Sequence, residues 1–489
     1  MRTLPEDCID QICYQIDNDI ATLYSCMRIN RRWCLRCVLY LWQEPFRIKL
    51  KDKSLKKVID IYISLLSVEQ KIRLNMTFES NNQCVFYYPS FLRALDIMVI
   101  KRAIDIWVGS TDIVPNQVLY EIGCLIATNS TRLRTIQLGS APSELNLFQI
   151  FKDQMAANVA TLLEEISVVN ILNSKNAESL GTFVRNQHEL KTLKLSSFKG
   201  RILKDFFRGL IGKDLIDPFW ISNVIRLDFS SVDFTDVPLL TILKFFPRLK
   251  SLNISLCLNL TSEMGYVPNL DSICHALSSF TIFYTSIDSR DLCDILRHVH
   301  QLHRFHLCTS FSNNIPTIWE YVVKVSHNLT ELHLNDGLLP HIKQSLKVFR
   351  KLKHLSIVSH TSIYDEVNID GQQLKTFACS IPKTLRELNI LCNWKFFPED
   401  FGEFLENCQA NLKYLYLGFC STIGDEHVKV LEEFLNKRHE VLTKYYIPNK
   451  NISKYVKRSS NHFYCRLIAP NTSVDLCECG YANYNFPES

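Results

Sequence analysis

Apolar and polar positions alternate in a six-residue pattern that recurs along most of the chain. Each copy has apolar residues at its first, fourth and sixth positions, and its third and fifth positions are mostly polar. Eleven copies begin 23 to 34 residues apart. Their first residues are Leu133, Leu163, Leu190, Val224, Leu249, Leu277, Leu302, Leu329, Leu352, Leu385 and Leu412. A single copy would be ordinary in an amphipathic helix, but periodic recurrence predicts a repeated strand.

Side chains alternate across a strand, so each copy has an inward face and an outward face. In the copy that starts at Leu329, we expect Leu332 and Leu334 to point inward and Glu331 and His333 to point outward. The segments between copies carry apolar residues at helical spacing. One such unit cannot bury its own apolar face, so the units should stack. The sequence therefore predicts an α/β fold, a curved leucine-rich-repeat solenoid with a parallel concave β-sheet and outer helices.

Four regions follow from this pattern. They are a three-helix segment over 1–46, a partly helical connector over 47–91, leucine-rich repeats over 92–442, and a C-terminal cap or flexible tail over 443–489. The connector contains an amphipathic helix around Leu55 to Leu66, and Leu92 to Ile97 is an earlier, degenerate copy of the repeat. These boundaries are set by where the six-residue pattern begins and ends.

The first 46 residues predict three short helices with more apolar surface than so short a segment can bury. Pro5 suits the first turn of a helix, and Asp17 to Asp19 supply turn and capping chemistry before the second helix. A third helix carries Trp33, and Leu41 and Trp42 close the segment. Domains of about 40 residues seldom fold without a disulfide, a metal or a partner. The apolar surplus therefore indicates a protein partner.

This segment resembles an F-box. The matching positions are Leu4-Pro5, Ile9, Ile12, Ile16, Leu23 to Cys26, Ile29 to Trp33, and Leu41-Trp42. The resemblance implies that the helices dock on a Skp-type adaptor and, through it, on a cullin and a ubiquitin-conjugating enzyme. The adaptor-binding residues would be Leu4, Pro5, Ile9, Ile12, Ile16, Leu23, Trp33, Leu41 and Trp42. The alternative is an ordinary helical cap on the repeats.

The outward positions of the repeats predict where a target protein would bind. Toward the C-terminus these positions are rich in charged, histidine and tyrosine side chains, whereas the middle copies carry small ones such as Ser251 and Ser279. Tyrosine and arginine are frequent anchors of protein interfaces. The candidate target-binding residues are Arg304, His306, Glu331, His333, His354, Tyr414 and Tyr416. The alternative is a solvated sheet face, which is the default in this repeat.

Composition and charge narrow the function further. The formal net charge is only +5 over 489 residues, and basic residues are interspersed with acidic ones, so we expect neither nucleic acid nor a membrane as partner. The N-terminus lacks the apolar core of a signal peptide, and the chain has no apolar run of about 18 residues. The 18 scattered cysteines suit reduced thiols. These features predict a cytoplasmic or nuclear protein.

Metal and catalytic motifs are weak or missing in the sequence. His298, His300, His303 and His306 are close in sequence, but the strand pattern separates their directions, and His462-x-x-Cys465 with Cys477-x-Cys479 departs from paired zinc motifs. Nucleotide loops and hydrolase motifs are lacking, Gly209 to Lys213 being too short for a phosphate loop. We therefore predict a non-catalytic protein with no metal and no cofactor.

Taken together, these patterns favour a substrate receptor of a Skp-cullin-F-box ubiquitin ligase, with an unknown protein target on the concave face. One alternative is a non-degradative leucine-rich-repeat scaffold with an F-box-like helical cap. Another is a sensor holding a small anionic cofactor, which would require clustered cations on the concave face. Lys194, Arg226 and Arg304 are the cations at these positions, and they belong to separated strands.

Overall fold

The computed structural model describes most of the chain and divides it into two compact units, Met1–Val325 and Ser326–Ser489. The described residues are 4–17, 19–46, 50–76, 84–109, 113–139, 163–171, 174–212, 223–260, 274–285, 287, 289–308, 315–336, 345–359, 366–417, 423–438 and 444–446. The division between the units lies inside the predicted repeats. Most of the predicted tail, with its histidine and cysteine motifs, lies outside the described residues.

Three helices begin the first unit, as the sequence predicts. They are α1 (Glu6–Gln15), α2 (Ile20–Met27) and α3 (Arg31–Trp42). Asp19 caps α2 by accepting a hydrogen bond from the Thr22 backbone N–H at 3.0 Å, and Asn30 caps α3 by accepting from the backbone N–H groups of Arg32 and Trp33. Each cap satisfies donors that a helix start leaves without an intrahelical partner. We call α1 to α3 the N-terminal helical unit.

A small core holds the N-terminal helical unit together. Ile9, Cys13, Leu23 and Cys37 are buried, and the sulfur atoms of Cys13 and Cys37 lie 3.4 Å apart between α1 and α3. Two small side chains at this crossing allow the helices to approach closely. Burial raises the pKa of the Cys13 thiol, so this residue packs as a small apolar group.

The N-terminal helical unit is joined to the repeats by packing and by backbone hydrogen bonds. After it come α4 (Asp52–Ser64), α5 (Val68–Arg73) and a 3₁₀ turn at Tyr88–Phe91, in the region where the sequence predicts a partly helical connector. The Trp42 ring lies 4.0 Å from the Tyr88 ring, measured between centroids. The Gln43 carbonyl accepts hydrogen bonds from the backbone N–H groups of Arg93 and Ala94, at the start of the first strand. The helices are therefore tied to the edge of the sheet.

Parallel strands form the sheet of the first unit and follow chain order. The strands described there are β1 (Ala94–Asp96), β2 (Thr135–Leu138), β3 (Glu165–Val169), β4 (Thr192–Ser196), β5 (Arg226–Ser230), β6 (Ser251–Ser255), β7 (Ser279–Phe283) and β8 (Arg304–Cys308). Each pairs with the next in parallel register. Strand β1 is the predicted degenerate copy, with Ala94 opposite Thr135.

Helices provide the return segments of the first unit. They are α6 (Ile97–Val108), α7 (Pro115–Asn129), α8 (Ser174–Arg185), α9 (Gly200–Ile211), α10 (Leu239–Leu243), α11 (Ser289–Arg297) and α12 (Ile315–Val325). Helices α8 and α9 approach through two glycines. A Cβ atom on Gly181 would lie 2.0 Å from the Phe206 carbonyl oxygen, and one on Gly209 would lie 1.9 Å from the Glu178 carbonyl oxygen. Glycine at these positions therefore permits the backbones to touch.

The second unit repeats the same architecture. Its elements are β9 (Glu331–Asn335), β10 (His354–Val358), β11 (Val367–Asn368), α13 (Gly371–Ser380), β12 (Glu387–Leu391), β13 (Trp394–Lys395), α14 (Pro398–Asn407), β14 (Tyr414–Leu417), α15 (Asp425–Arg438) and β15 (Lys444–Tyr446). Strands β9, β10, β12, β14 and β15 pair in parallel in that order, and β11 pairs with β13. The β11–β13 pair and β15 lie outside the eleven predicted strands.

All eleven six-residue copies form strands that begin at the third position of the pattern, as β2 to β10, β12 and β14. Their fourth and sixth side chains are buried throughout, as Leu332 and Leu334 are in β9. The predicted α/β fold of three N-terminal helices followed by leucine-rich repeats with a parallel sheet is therefore confirmed. Among the described residues, no helix is long and apolar enough to cross a membrane.

Candidate binding surfaces

The outside of the N-terminal helical unit carries large apolar side chains. Those exposed by more than a third are Leu4, Ile12, Tyr14, Ile20, Tyr24, Ile29 and Leu35. Tyr24 is 60% exposed, whereas its neighbour Leu23 is fully buried. Single exposed apolar residues are common on soluble proteins, but seven within 32 residues are informative. The predicted apolar surplus is present on the surface of these three helices.

The predicted adaptor-binding residues fall into three groups. Leu4, Pro5 and Ile12 are exposed. Partly buried against the core are Ile16, Trp33 and Leu41, and Trp42 is half-buried beside Tyr88. Ile9 and Leu23 are buried in the core at 2% and 0% exposure. These last two stabilise the helical unit and cannot be surface anchors, which corrects their assignment from sequence.

Five exposed apolar residues were not predicted as anchors. They are Tyr14, Ile20, Tyr24, Ile29 and Leu35. Ile20 lies on the outer side of α2 with Tyr24, whereas Leu23 on the same helix is buried. The i, i+4 spacing of Ile20 and Tyr24 was the signal that could have revealed this outer face.

On the second unit, polar side chains bond to one another within and between strands on the face opposite the core. We call this face of the strands, in either unit, the polar strand face. His333 Nε2 lies 3.1 Å from Glu331 Oε1 within β9. His354 Nδ1 on β10 lies 3.0 Å from Glu387 Oε2 on β12. Asn389 Nδ2 donates to Glu387 Oε1 at 2.9 Å, so both oxygens of this carboxylate are engaged. The face is thus an ordered polar network.

The predicted target-binding residues are divided between the two units. Arg304 and His306 belong to the first unit, where Arg304 is exposed and His306 is buried at 8% exposure. The second unit contains Glu331, His333, His354, Tyr414 and Tyr416, of which Tyr414 is the most exposed. Burial corrects the expected outward exposure of His306.

Ser356, an outward position in the pattern, is also buried, at 1% exposure. It lies between His333 and Asn389 in the strand register, and its hydroxyl accepts a hydrogen bond from Asn389 Nδ2 at 3.2 Å. Larger neighbours on both sides cover this small side chain. An outward direction in a strand therefore does not ensure exposure.

Charged groups on the polar strand face of the first unit pair with one another. Lys194 Nζ lies 2.7 Å from Glu165 Oε1, and Arg226 Nε lies 3.1 Å from Asp228 Oδ2. Burial raises the pKa of Asp228, and the nearby Arg226 guanidinium partly offsets this effect. These cations are already neutralised, so the arrangement disfavours the anionic cofactor site that clustered cations would have supported.

The described part of the first unit also contains a cleft of about 1120 Å³ next to α5 and α7. Its main polar feature is Glu121, which is 3% exposed. The Arg73 guanidinium donates two hydrogen bonds to the Glu121 carboxylate, at 2.6 and 2.8 Å, and Gln70 Nε2 donates a third at 3.0 Å. Burial alone would raise the pKa of Glu121, but these donors hold it below its usual range. This carboxylate therefore acts as a structural link between the two helices.

The four sequence-adjacent histidines have different surroundings in the structure. His303 Nδ1 lies 2.8 Å from the Gln301 carbonyl oxygen, and the His300 ring packs 5.9 Å from that of His275. His298 is half-buried and His306 is buried. The pattern of the repeat thus directs these side chains to different neighbours, as the strand spacing indicates.

Comparison with known proteins gives little beyond this geometry. No family model matches the chain, and no curated protein matches it. The chain is similar to a solved structure described as the crystal structure of the Rad7 and Elc1 complex in yeast. The similarity covers 90% of this chain and 92% of that chain at 11% identity, with a TM-score of 0.35. A TM-score this low carries no argument about the fold. The parallel strand register and the burial of the fourth and sixth repeat positions establish the fold of this chain instead.

Proposed function

We propose that this chain is the substrate-recognition subunit of a Skp-cullin-F-box ubiquitin ligase. In this proposal the N-terminal helical unit binds a Skp-type adaptor, and the polar strand face of the repeats binds a protein target. The chain itself is not an enzyme and requires no cofactor. The observation that carries the proposal is the set of seven exposed apolar side chains, five on the three helices and two beside them, around a core that these helices form themselves.

The exposed apolar side chains project from helices whose backbone is held in place by a core of their own. The core of Ile9, Cys13, Leu23 and Cys37 fixes the three helices, so their backbone does not have to become ordered on binding. Buried aliphatic and aromatic anchors dominate protein interfaces. Ile12, Tyr24 and their exposed neighbours supply that chemistry from outside the core.

The mechanism of such a receptor is proximity. The backbone hydrogen bonds from Arg93 and Ala94 to Gln43 tie the N-terminal helical unit to β1. A target held on the repeats would then be kept near the conjugating enzyme that the adaptor recruits. Holding two reactants together raises their effective concentration without any acid, base or nucleophile from this chain. The proposal places the protein in the cytoplasm, the nucleus or both.

Co-purification with a Skp-type adaptor tests the proposal. We would compare the native chain, Ile12→Asp, Tyr24→Asp and a chain lacking residues 1–46. Placing a carboxylate in an apolar interface should reduce recovery of the adaptor at least about tenfold, because loss of an interface anchor costs about 2 kcal/mol or more. The deletion should abolish recovery.

Lys56→Asp is the matched control, because Lys56 is exposed on α4 and the change again introduces a carboxylate. It should leave recovery unchanged. Equal adaptor recovery from the native chain, both N-terminal variants and the deletion would refute the proposal. Adaptor binding without ubiquitin transfer to any bound protein would favour the scaffold alternative.

A further inference from the structure

Three cations form a row at the N-terminal ends of neighbouring strands in the second unit. Lys353, Arg386 and Lys413 occupy the second position of consecutive six-residue copies, just before β10, β12 and β14. Their backbones are joined directly: Arg386 N–H donates to the Lys353 carbonyl at 2.8 Å, and Lys413 N–H donates to the Arg386 carbonyl at 2.7 Å. All three residues are exposed. We call them the cationic row.

Acidic groups do not neutralise this row within the part of the chain that the structure describes. No described carboxylate lies within 4.0 Å of the Lys353, Arg386 or Lys413 charge. Glu387 follows Arg386 directly in the chain, but its two oxygens are engaged by His354 and Asn389 on the polar strand face. The charges of the row therefore face solvent.

The segments leading into the three strands add to the positive charge. Residues 345–353, 381–386 and 408–413 contain seven Lys and Arg side chains and no Asp or Glu. Besides the row itself, these are Lys347, Arg350, Lys351 and Lys383, and all four are exposed. Lys351 donates to the neutral Asn328 side chain at 2.7 Å. Like charges so close together repel one another, so the arrangement lowers stability slightly in the absence of an anion.

We propose that the cationic row binds an acidic segment of the protein target, one rich in Asp and Glu. This inference rests on the proposed function, whose target it describes by chemical class. Neighbouring strands lie about 4.8 Å apart, so the row spans about 10 Å. Side chains alternate along an extended chain, so a segment of about five residues presents three carboxylates on one side over about 13 Å, a spacing that the long Lys and Arg side chains can match. Tyr414, exposed beside Lys413, adds an apolar contact at the end of the row.

The surroundings favour an acidic peptide over nucleic acid. Glu331 and Glu387 lie on the adjoining polar strand face and would repel a phosphate backbone that extended beyond the row. A short acidic peptide can end at the row, whereas a nucleic acid strand would continue past it.

Fluorescence anisotropy of the full chain with a labelled hexaglutamate peptide tests this inference. The native chain should bind the peptide, and affinity should fall as salt rises because exposed charges are screened. The triple variant K353E/R386E/K413E should bind at least about tenfold more weakly, since each exposed ion pair contributes a factor of a few. A hexaglutamine peptide should not bind.

The matched control is K53E/K56E/K57E, which removes three exposed lysines of α4 and changes net charge by the same amount. It should keep affinity within about twofold of the native value, which separates a local site from general attraction to net charge. Equal weakening by both triple variants, or no binding of hexaglutamate by the native chain, would overturn the inference. Tighter binding of a phosphoserine peptide or a single-stranded oligonucleotide than of hexaglutamate would overturn it as well.

Adaptor co-purification of the same variants keeps the two proposals distinguishable. The row variant should recover the adaptor normally, because its substitutions lie outside the N-terminal helical unit. Loss of hexaglutamate binding with intact adaptor recovery is the expected result. If the native chain binds the adaptor but not hexaglutamate, the inference fails and the proposed function stands. If it binds hexaglutamate but no adaptor, the proposed function fails.

Discussion

Both units carry charged side chains at the second position of neighbouring six-residue copies, but the sign of the middle charge differs between the two units. In the first unit, Glu164 stands between Arg134 and Lys191 at the second positions of three neighbouring copies and pairs with both, at 3.5 and 3.0 Å. In the second unit, Arg386 takes the equivalent middle place between Lys353 and Lys413. One residue thus changes a neutralised row into a cationic one.

This difference distinguishes charges that are paired within the chain from charges that are free to meet a partner. In the first unit, Lys194 with Glu165 and Arg73 with Glu121 satisfy charges within the chain. In the cationic row of the second unit, the charges remain exposed. A fold held together by its buried leucines tolerates either arrangement, because exposed charges contribute little to stability.

The largest expected effect concerns what the two units share. Leu193 in β4 and Leu355 in β10 occupy the same fourth position and are buried at 0% and 1% exposure. Leu193→Ala and Leu355→Ala should each lower the free energy of unfolding by about 2 to 5 kcal/mol, because each leaves a cavity. Thermal and urea unfolding measure this. Lys353→Ala should stay within about 0.5 kcal/mol; a loss equal to that of Leu355→Ala would contradict the inward and outward assignment.

An intermediate effect is expected from the Arg73–Glu121 pair. Arg73→Ala leaves a buried carboxylate without its cation and should lower the free energy of unfolding at pH 7 by more than the loss of an exposed ion pair does. Arg102→Ala, which breaks an exposed pair with Asp52 at 3.1 Å, should cost less than about 1 kcal/mol. Urea unfolding of both variants gives the comparison, and equal costs would mean that burial of Glu121 has no energetic consequence.

The same pair predicts a pH dependence. The folded-state pKa of Glu121 is lowered, so its stabilising effect is present above about pH 4.3, the usual value for glutamic acid, and is lost as pH falls through the folded pKa. The stability difference between the native chain and Arg73→Ala should therefore hold near neutral pH and shrink as pH falls from about 4.3 toward about 3. A difference that stays constant over this range would contradict the ion-pair interpretation.

The smallest expected change in stability comes from exchanging the middle residues of the two rows. Arg386→Glu recreates the first unit's arrangement and should raise stability by about 0.5 kcal/mol at most, since exposed pairs contribute little. It should nevertheless weaken hexaglutamate binding. Glu164→Lys makes the reciprocal change and should lower stability by a similar amount. Urea unfolding with peptide titration of both variants tests this, and tighter peptide binding by Arg386→Glu would contradict the role of the row.

The fold was predictable because the same six-residue pattern recurs many times along the chain. Eleven copies with apolar first, fourth and sixth positions specify strand, face and parallel stacking together. The β11–β13 pair escaped prediction because strands of two residues carry too little alternation to be recognised. The predicted domain boundaries stay predictions.

Surface residues were less predictable because exposure depends on neighbours in space. Leu23 and Tyr24 are adjacent in α2, and only the packing against α1 and α3 decides that one is buried and the other exposed. Ser356 is covered by neighbouring strands in the same way. The cationic row was not predicted because Lys353, Arg386 and Lys413 occupy the second position of the repeat, just before each strand. The predicted binding face comprises the third and fifth positions only.

Hydrogen–deuterium exchange of the full chain with and without a purified Skp-type adaptor tests the central claim most directly. The account predicts that adaptor binding slows exchange in peptides from Leu4 to Leu35, where the exposed apolar side chains lie, and leaves β9 to β14 unchanged. The Tyr24→Asp chain should show much less protection at the same adaptor concentration. Adaptor-dependent protection confined to the repeats, or equal protection of the native and Tyr24→Asp chains, would contradict the account.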